Sequence, residues 1–372
     1  MANIDLVLDL QYGSTGKGLI VGHLAERNGY DTVITAWAPN AGHTYINRDG
    51  RKFIHTHLAN GIVSPYIRRV LLGPGSLINP AQLLAEIAEC SDIIRDKGIE
   101  IMIHPHAAVV TQRHVDEEAG PMTKIGSTKK GVGAAMQQRI RRDPEDMNIA
   151  ASCPELEAYT VTVEDYNRAV SASRLILIEG AQGFGLSMYH GFYPYTTSRD
   201  VSTWQILADC AIPRKWGWYD AAGRSRLRVI GTARTYPIRV ANRFDTQGTM
   251  VGYSGPVYGD QIEIDFESIG QKIELTTVTK LPRRVFTFSA LQIADAVRMN
   301  GPDFVFLNFI NYVRDRRELI SIVQAIEHCE HAPIVKWLGA GPATTDVYDT
   351  EFNDPVLRMN KIVEIWEKSC FK

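Results

Sequence analysis

Short apolar runs of strand length recur along the whole chain, and they constrain its fold more than any other feature. Most are continuous rather than alternating, as in parallel strands that are buried on both faces of a sheet. They cover residues 4–10, 32–37, 70–72, 99–103, 175–179, 227–232, 304–309 and 333–337. Helical patterns separate several of them; the clearest begin at Asn79-Pro80, ending before Gly98, and cover 287–299 and 355–368. The sequence therefore predicts one α/β domain over residues 1–372, with a central, mostly parallel sheet flanked by helices.

Composition limits the class of function. Forty Lys+Arg against 42 Asp+Glu give a net charge of -2, which removes the general attraction to polyanions that a nucleic-acid coat protein needs. Phosphate binding is therefore expected to be local, with no nucleic acid as partner. The apolar runs are too short for a membrane span, and no basic segment precedes an apolar block at the N-terminus, so neither a membrane nor secretion is expected. Five scattered cysteines without a CxxC pair predict a reduced, cytoplasmic protein without structural zinc.

The first apolar run leads directly into a glycine-rich loop, Gln11-Tyr12-Gly13-Ser14-Thr15-Gly16-Lys17-Gly18, and an apolar helical pattern follows. Glycine lets the backbone approach a phosphate closely, the helix offers free N–H groups, and Lys17 adds a positive charge. The common phosphate-loop motif has four residues between its first glycine and the Gly-Lys pair, whereas this loop has two. Taken alone, the loop fits a phosphate cradle and a tight turn with a solvated lysine equally well.

A second polar loop, Asn40-Ala41-Gly42-His43-Thr44, follows the run 32–37. A lone histidine in such a loop is more often a surface residue than a catalyst, but the two loops together resemble the adenylosuccinate synthetase family. Four further segments match that family in the same order: Ile125-Gly126-Ser127-Thr128-Lys129-Lys130-Gly131-Val132-Gly133, Glu179-Gly180-Ala181-Gln182-Gly183, His190-Gly191-Phe192-Tyr193-Pro194-Tyr195-Thr196-Thr197-Ser198 and Ala340-Gly341-Pro342. The resemblance extends from residue 4 to about residue 346, and it implies that family's fold, which is related to the P-loop nucleotide hydrolases.

The resemblance also implies a reaction. A ligase of this family moves the γ-phosphate of a nucleoside triphosphate onto the 6-oxygen of a purine monophosphate, and the amine of aspartate then displaces the phosphate. Mg²⁺ is the implied cofactor, with Ser14 and the backbone of Gly42 at the metal positions. Ser14, Lys17, His43 and Gln182 occupy the catalytic positions, where His43 would stabilise charge on the transferring phosphoryl group or on the 6-oxygen.

Three sets of residues match positions that bind the substrates in the family. The donor-nucleotide positions are Gly13, Thr15, Gly16, Lys17, Gly18, Gly42, Thr44, Phe309, Asn311, Gly341 and Pro342. The acceptor positions are Ser14, Asn40, Ser127, Thr128, Arg142, Gln182 and Thr197. The aspartate positions are Thr277, Val278, Thr279, Arg283 and Arg284. The family works as a homodimer in which the arginine matched by Arg142 reaches the neighbouring active site; Arg141 is an alternative match, and a solvated helix face is the plain alternative.

Two departures from the family pattern concern the acceptor. The aspartate that takes the purine N1 proton and helps to hold magnesium is Ser14 here, and a hydroxyl is a negligible base at neutral pH. Either catalysis is lost, or the acceptor is guanine, whose 2-amino group would meet a smaller side chain with a free lone pair. An arginine near the acceptor ribose is Leu281 here, which removes a partner for the 2′-hydroxyl and favours a deoxyribose.

A third departure concerns the donor. The family segment Thr-Lys-Leu-Asp, which selects guanine, is Asn308-Phe309-Ile310-Asn311 here. The amide of Asn311 can donate to adenine N1 and accept from N6, and Phe309 offers a stacking surface, unless both residues merely end a buried strand.

Together the departures are typical of the viral branch of the family. They predict ligation of L-aspartate to dGMP with ATP or dATP as donor, giving N6-succino-2-amino-2′-deoxyadenylate in the host cytoplasm. The alternatives are a conventional enzyme that uses IMP and GTP, and a catalytically inactive homologue that binds purine nucleotides.

Overall fold

A computed structural model describes residues 2–119, 124–125, 127–213, 225–275 and 281–370. Within these ranges the helices α1 to α10 are Lys17–Arg27, Pro80–Glu89, Ser91–Lys97, Gln112–Glu118, Val132–Arg141, Val163–Ala172, Thr203–Asp209, Ala290–Asn300, Arg316–Glu327 and Pro355–Cys370. The strands β1 to β18 are Asn3–Asp9, Thr32–Thr35, His43–Ile46, Lys52–His55, Arg69–Leu72, Leu77–Ile78, Glu100–Ile103, Ala108–Val109, Leu175–Glu179, Leu227–Arg234, Ile238–Arg239, Arg243–Phe244, Met250–Gly252, Glu263–Ile264, Arg284–Phe286, Phe304–Asn308, Ile334–Gly339 and Val347–Asp349.

The main sheet has nine strands in the order β18-β17-β16-β10-β1-β9-β2-β5-β7. Every neighbouring pair is parallel except β17 and β18. All eight apolar runs of the sequence form strands of this sheet, so the predicted α/β fold is confirmed. Strands lie on both sides of β1, so the order of the strands reverses near the middle of the sheet. In open α/β sheets such a reversal leaves a crevice at the carboxyl ends of the strands, and ligands bind there.

The continuous apolar pattern has a direct structural cause. Along β1, Leu6 and Leu8 pack into the core on one face of the sheet, whereas Val7 packs into the core on the other face. Because successive side chains point to opposite faces, a strand with helices on both sides has no polar position to alternate with.

The helices begin and end close to the predicted positions. The segment after Asn79 forms two helices, α2 and α3, that meet at Cys90. The side-chain oxygen of Asn79 accepts a hydrogen bond from the Gln82 amide at 3.1 Å, and Gly98 ends α3 in the left-handed region with φ of 63°.

Among the described residues, no helix is both long enough and apolar enough to cross a bilayer.

Candidate active site

A cavity of about 1410 Å³ lies against the loops that follow the central strands. Pockets for one small ligand measure roughly 300–1,000 Å³, so this cavity has room for more than one substrate. Most of the predicted site residues line it: Gly13, Ser14, Thr15, Gly16, Lys17, Gly18, Asn40, Gly42, His43, Thr44, Ser127, Thr128, Gln182, Thr197, Arg283, Phe309, Asn311, Gly341 and Pro342.

Among the described residues, two predicted site residues, Arg142 and Arg284, do not line the cavity. Thr277, Val278 and Thr279 lie outside the described residues. Arg142 is exposed and follows the last turn of α5 with φ of 55°, away from the cavity of its own chain.

Arg284 is held by groups of the chain itself. Its Nε and Nη2 atoms donate to the Glu263 carboxylate at 2.8 and 2.6 Å, and its Nη1 atom donates to the Gly255 carbonyl at 2.8 Å. These contacts engage the whole guanidinium and hold strand β15 to its surroundings. In the free protein the guanidinium of Arg284 is thus paired with a carboxylate of the chain itself, and its aspartate-binding role stays a prediction.

A buried carboxylate, which sequence reasoning missed, organises the glycine-rich loop. Asp9 is the last residue of β1 and is fully buried. Its Oδ1 atom accepts from the amides of Gln11 and Gly13 at 2.8 and 3.2 Å, and its Oδ2 atom accepts from the Thr15 hydroxyl and from Lys17 Nζ, the latter at 3.1 Å. Only 5% of the Lys17 side chain is exposed, so the solvated-lysine alternative is wrong.

The loop closes against the end of strand β16. Gly16 has φ of 95°, and a Cβ atom there would lie 2.3 Å from the Asn308 side-chain nitrogen, so only glycine fits. The same nitrogen donates to the Thr15 carbonyl at 3.2 Å. Asn308, also missed from sequence, thus links the loop to the segment that carries Phe309 and Asn311.

Gln182 connects three of the cavity loops. Its carbonyl accepts from Lys17 Nζ at 2.8 Å, and its Nε2 atom donates to Asn40 Oδ1 at 3.0 Å. The loops after β1, β2 and β9 therefore meet at this residue, which has φ of 63°.

His43 is held by a carboxylate and a ring. Its Nδ1 atom lies 2.7 Å from Glu179 Oε1, and the Trp37 ring packs against it with centroids 4.1 Å apart. The other oxygen of Glu179 accepts from the Asn60 amide at 2.8 Å. Burial lowers the pKa of the His43 imidazole, although Glu179 acts in the opposite direction. A neutral imidazole that donates from Nδ1 keeps Nε2 as its acceptor.

Phe309 and Asn311 both follow the end of β16 and line the cavity. Phe309 follows β16 with φ of 61°, and Asn311 lies in a single 3₁₀ turn, 310–312. The guanidinium carbon of Arg234 lies 3.9 Å from the centre of the Phe309 ring. The rings of Phe309 and Tyr312 pack edge to face, with centroids 5.1 Å apart.

A buried lysine beside a glycine-rich strand-to-helix loop is how many α/β proteins hold nucleotide phosphates, and this site places the chain among the nucleotide-binding α/β proteins. A family model narrows the class. The adenylosuccinate synthetase model matches residues 6–150 and 146–334, and the chain belongs to that family. The resemblance found in the sequence is confirmed.

Three relatives share nearly the whole length of the chain. An N6-succino-2-amino-2′-deoxyadenylate synthase of Salmonella phage PMBT28 is 47% identical, covering 92% of this chain and 96% of the relative. The protein of that name from Acinetobacter phage SH-Ab 15497 is 44% identical, with 99% of each covered. A solved structure of the Cyanophage S-2L succinoaminodeoxyadenylate synthetase (PurZ), bound to dGMP and to dATP as an energy donor, superposes with a TM-score of 0.88 at 39% identity, covering 99% of both chains.

Proposed function

We propose that the protein joins L-aspartate to C6 of dGMP, with ATP or dATP as phosphoryl donor, and forms N6-succino-2-amino-2′-deoxyadenylate. The observation that carries this proposal is the near full-length similarity to phage synthases of that product. The relative bound to dGMP and dATP supports the choice of nucleotides.

The chemistry explains why a triphosphate is needed. A purine 6-oxygen is a poor leaving group, so it first attacks the γ-phosphorus of the donor while the N1 proton is lost and the nucleoside diphosphate departs. The amine of aspartate then adds to C6, and the C6–O bond breaks with inorganic phosphate as the leaving group. The amine nitrogen loses a proton and remains bonded to C6.

His43 is the residue suited to the developing charge. Burial lowers the pKa of its imidazole and so favours the neutral form in the free protein, whereas the negative charge of bound nucleotides favours the protonated form. Protonated at Nε2, it can donate to the 6-oxygen or to the transferring phosphoryl group, while Glu179 stabilises the imidazolium and fixes its orientation.

Lys17 and the glycine-rich loop hold the phosphates of the donor, and the residues nearby fit Mg²⁺. Ser14 and Gly42 both line the cavity, and beyond the two chain neighbours of Gly42 no described residue has an atom within 4 Å of its Cβ position, so this side of Gly42 is open to a ligand. Within the described chain, no three His, Cys, Asp or Glu side chains form a cage, which suits an ion held mainly by phosphate and water. When bound, Mg²⁺ neutralises charge on the phosphates.

The acceptor and aspartate take the other parts of the cavity in this proposal. Ser14 accepts a hydrogen bond from the 2-amino group of guanine, and Asn40, Ser127, Thr128, Gln182 and Thr197 hold the rest of dGMP. Leu281 lines the cavity without offering a partner to a 2′-hydroxyl. Arg283 binds a carboxylate of aspartate, together with Thr277, Val278 and Thr279.

We further propose a homodimer in which Arg142 contributes to the partner's acceptor site. Its exposure at the end of α5 and its position outside its own cavity support this arrangement. A cytoplasmic location in the infected cell agrees with five free cysteines.

Phosphate release with Mg²⁺, ATP and aspartate tests the proposal when dGMP, GMP and IMP are compared and the product mass is recorded. Turnover with dGMP and a succinyl adduct is expected, with GMP used less well because of Leu281. Turnover with IMP alone would make the protein a conventional synthetase, and no turnover with any acceptor would make it an inactive homologue.

A further inference from the structure

Arg234 is a fully buried cation that touches segments from three parts of the cavity. Its guanidinium packs on Phe309, as described above. Its Nη1 atom donates to Glu274 at 3.2 Å and lies 3.4 Å from the Ser14 carbonyl, and its Nη2 atom makes a second, shorter bond to Glu274.

Glu274 in turn lies beside Arg283, the cation proposed to bind aspartate. The Arg283 amide donates to the Glu274 carbonyl at 2.8 Å, and Leu275 pairs with Pro282 in a β-bridge. The Glu274 carboxylate interacts electrostatically with both Arg234 and Arg283. One carboxylate thus interacts with two guanidinium groups, of which only that of Arg283 lines the cavity.

We propose that Arg234 is a positioning residue with two separable effects, an inference that rests on the proposed function. Its charge satisfies Glu274 and thereby leaves Arg283 available to a carboxylate of aspartate. Its planar group supports the Phe309 ring, on whose other face the donor adenine stacks. Without Arg234, Glu274 would pair with Arg283, because Arg283 is the other cation that interacts with this carboxylate, and an arginine and a carboxylate form a strong charge-assisted pair.

The two effects depend on different properties of the side chain. Lysine carries the charge but not the planar guanidinium that stacks on an aromatic face. The conservative Arg234→Lys variant therefore keeps the first effect and loses the second. Neutralising Glu274 makes the first effect unnecessary and leaves the second in place.

The test is steady-state ligation of aspartate to dGMP by four variants: Arg234→Gln, Arg234→Lys, Glu274→Gln and the double variant Arg234→Gln/Glu274→Gln. We expect Arg234→Gln to raise the KM for aspartate about tenfold or more, because the charge-assisted interaction between Arg283 and aspartate is lost. Glu274→Gln should leave that KM unchanged or lower, and the double variant should return it to within about threefold of the wild type. Arg234→Lys should keep the KM for aspartate and raise the KM for ATP by about threefold or more.

Arg228→Gln is the matched control. Arg228 lies on β10, six residues before Arg234, and does not line the cavity. Its replacement breaks a bidentate pair with Asp5 of strand β1. The stability of the variant is expected to fall, with both KM values unchanged.

If the pair of Arg234 and Glu274 only stabilised the fold, the variants would behave differently. Glu274→Gln would then raise the KM for aspartate as much as Arg234→Gln, and the double variant would show no rescue, which would overturn the proposal. If Arg234→Gln does not fold, the KM values for aspartate of Arg234→Lys and of the double variant still distinguish the two roles. If the wild type does not ligate aspartate to dGMP, the proposed function fails separately, and calorimetric ATP binding by Arg234→Lys still tests the stacking effect, with unchanged affinity contradicting it.

Discussion

The Nδ1 atom of His43 lies 2.7 Å from Oε1 of Glu179, a contact between residues 136 positions apart in the chain. It joins two segments that the sequence presents as separate motifs, one after β2 and the other at the end of β9. Because the second oxygen of Glu179 is fixed by the Asn60 amide, the carboxylate sets the orientation of the ring. A histidine oriented in this way can act on a substrate without first losing side-chain freedom.

Replacing Glu179 with Gln should slow turnover with little effect on substrate binding. The amide has nearly the shape of the carboxylate but cannot stabilise an imidazolium, so we expect kcat to fall about 10- to 100-fold while the KM for ATP and dGMP changes little. Phosphate release under saturating conditions measures this. His43→Ala should likewise reduce turnover far more than nucleotide affinity, and a loss confined to binding would assign the histidine to positioning alone.

Glu86→Gln is a suitable control for the Glu179 variant. Glu86 is a buried carboxylate that accepts from the Leu58 amide at 2.9 Å and lies near His57, outside the cavity. Its replacement should lower the unfolding temperature and leave kcat unchanged. An equal loss of kcat in both variants would mean that any buried carboxylate near the antiparallel pair β3 and β4 has this effect.

Ser14→Asp should impair the use of dGMP. Ser14 has φ of 57°, a conformation that aspartate tolerates better than most residues, so backbone strain would not be the cause of a loss. The longer side chain would instead occupy the space needed by the 2-amino group. We expect the kcat/KM for dGMP to fall about tenfold or more, measured against Ser14→Ala, which keeps that space open. Unchanged dGMP kinetics in Ser14→Asp would refute the contact with the 2-amino group.

The fold could be predicted because the signal of a doubly buried strand is local. Within the nine-stranded sheet, β18 alone gives no such signal: it has only three residues, of which only Val347 is buried, and so produces no apolar run. Lys17 and His43 could be found because their loops carry distinctive residue patterns. Asp9 and Arg234 could not be found: each is the last residue of a strand, and its partner, Lys17 or Glu274, is brought to it only by the fold.

Asp9→Asn should weaken the hold on the donor phosphates. The variant keeps the oxygen for the loop amides but removes the charge that pairs with Lys17 Nζ at 3.1 Å. We expect kcat/KM for ATP to fall about tenfold, together with a loss of stability of about 3 kcal/mol as a buried pair is broken.

Asp5→Asn is the control that separates the loss of kcat/KM for ATP from the loss of stability. Asp5 lies on the same strand and pairs with Arg228 instead of with a residue of the cavity. Its replacement should reduce the free energy of unfolding without changing kcat/KM. Loss of donor use in both variants would show that Asp9 acts through general stability.

His23 should make the protein less stable in mild acid. Burial, assisted by the charge of Arg27, lowers the pKa of its imidazole to about 4 from the ordinary value of 6.5. The unfolded chain therefore binds a proton below pH 6.5, whereas the folded chain binds it only near pH 4. The free energy of unfolding is thus highest above pH 6.5 and falls as the pH decreases from 6.5 to 4. In His23→Gln, urea unfolding at several pH values should show less of this decline, by up to about 3 kcal/mol at pH 4. Above pH 6.5 the two curves should run parallel; an unchanged decline below it would contradict the assignment.

Asn311→Asp should move donor preference from ATP toward GTP. An amide can donate to adenine N1 and accept from N6, whereas a carboxylate only accepts, as the N1–H and 2-amino group of guanine require. The residue lines the cavity two positions after Phe309, whose ring does not discriminate between the two bases, so specificity should depend on the amide. We expect the ratio of kcat/KM for ATP to that for GTP to fall about tenfold or more, since one hydrogen-bonding pair is exchanged for a repulsive contact. Asn311→Ala provides the reference, because it removes the contact with both bases and should weaken ATP use without improving GTP use. If the ratio stays constant in Asn311→Asp, the donor base is read by another part of the cavity.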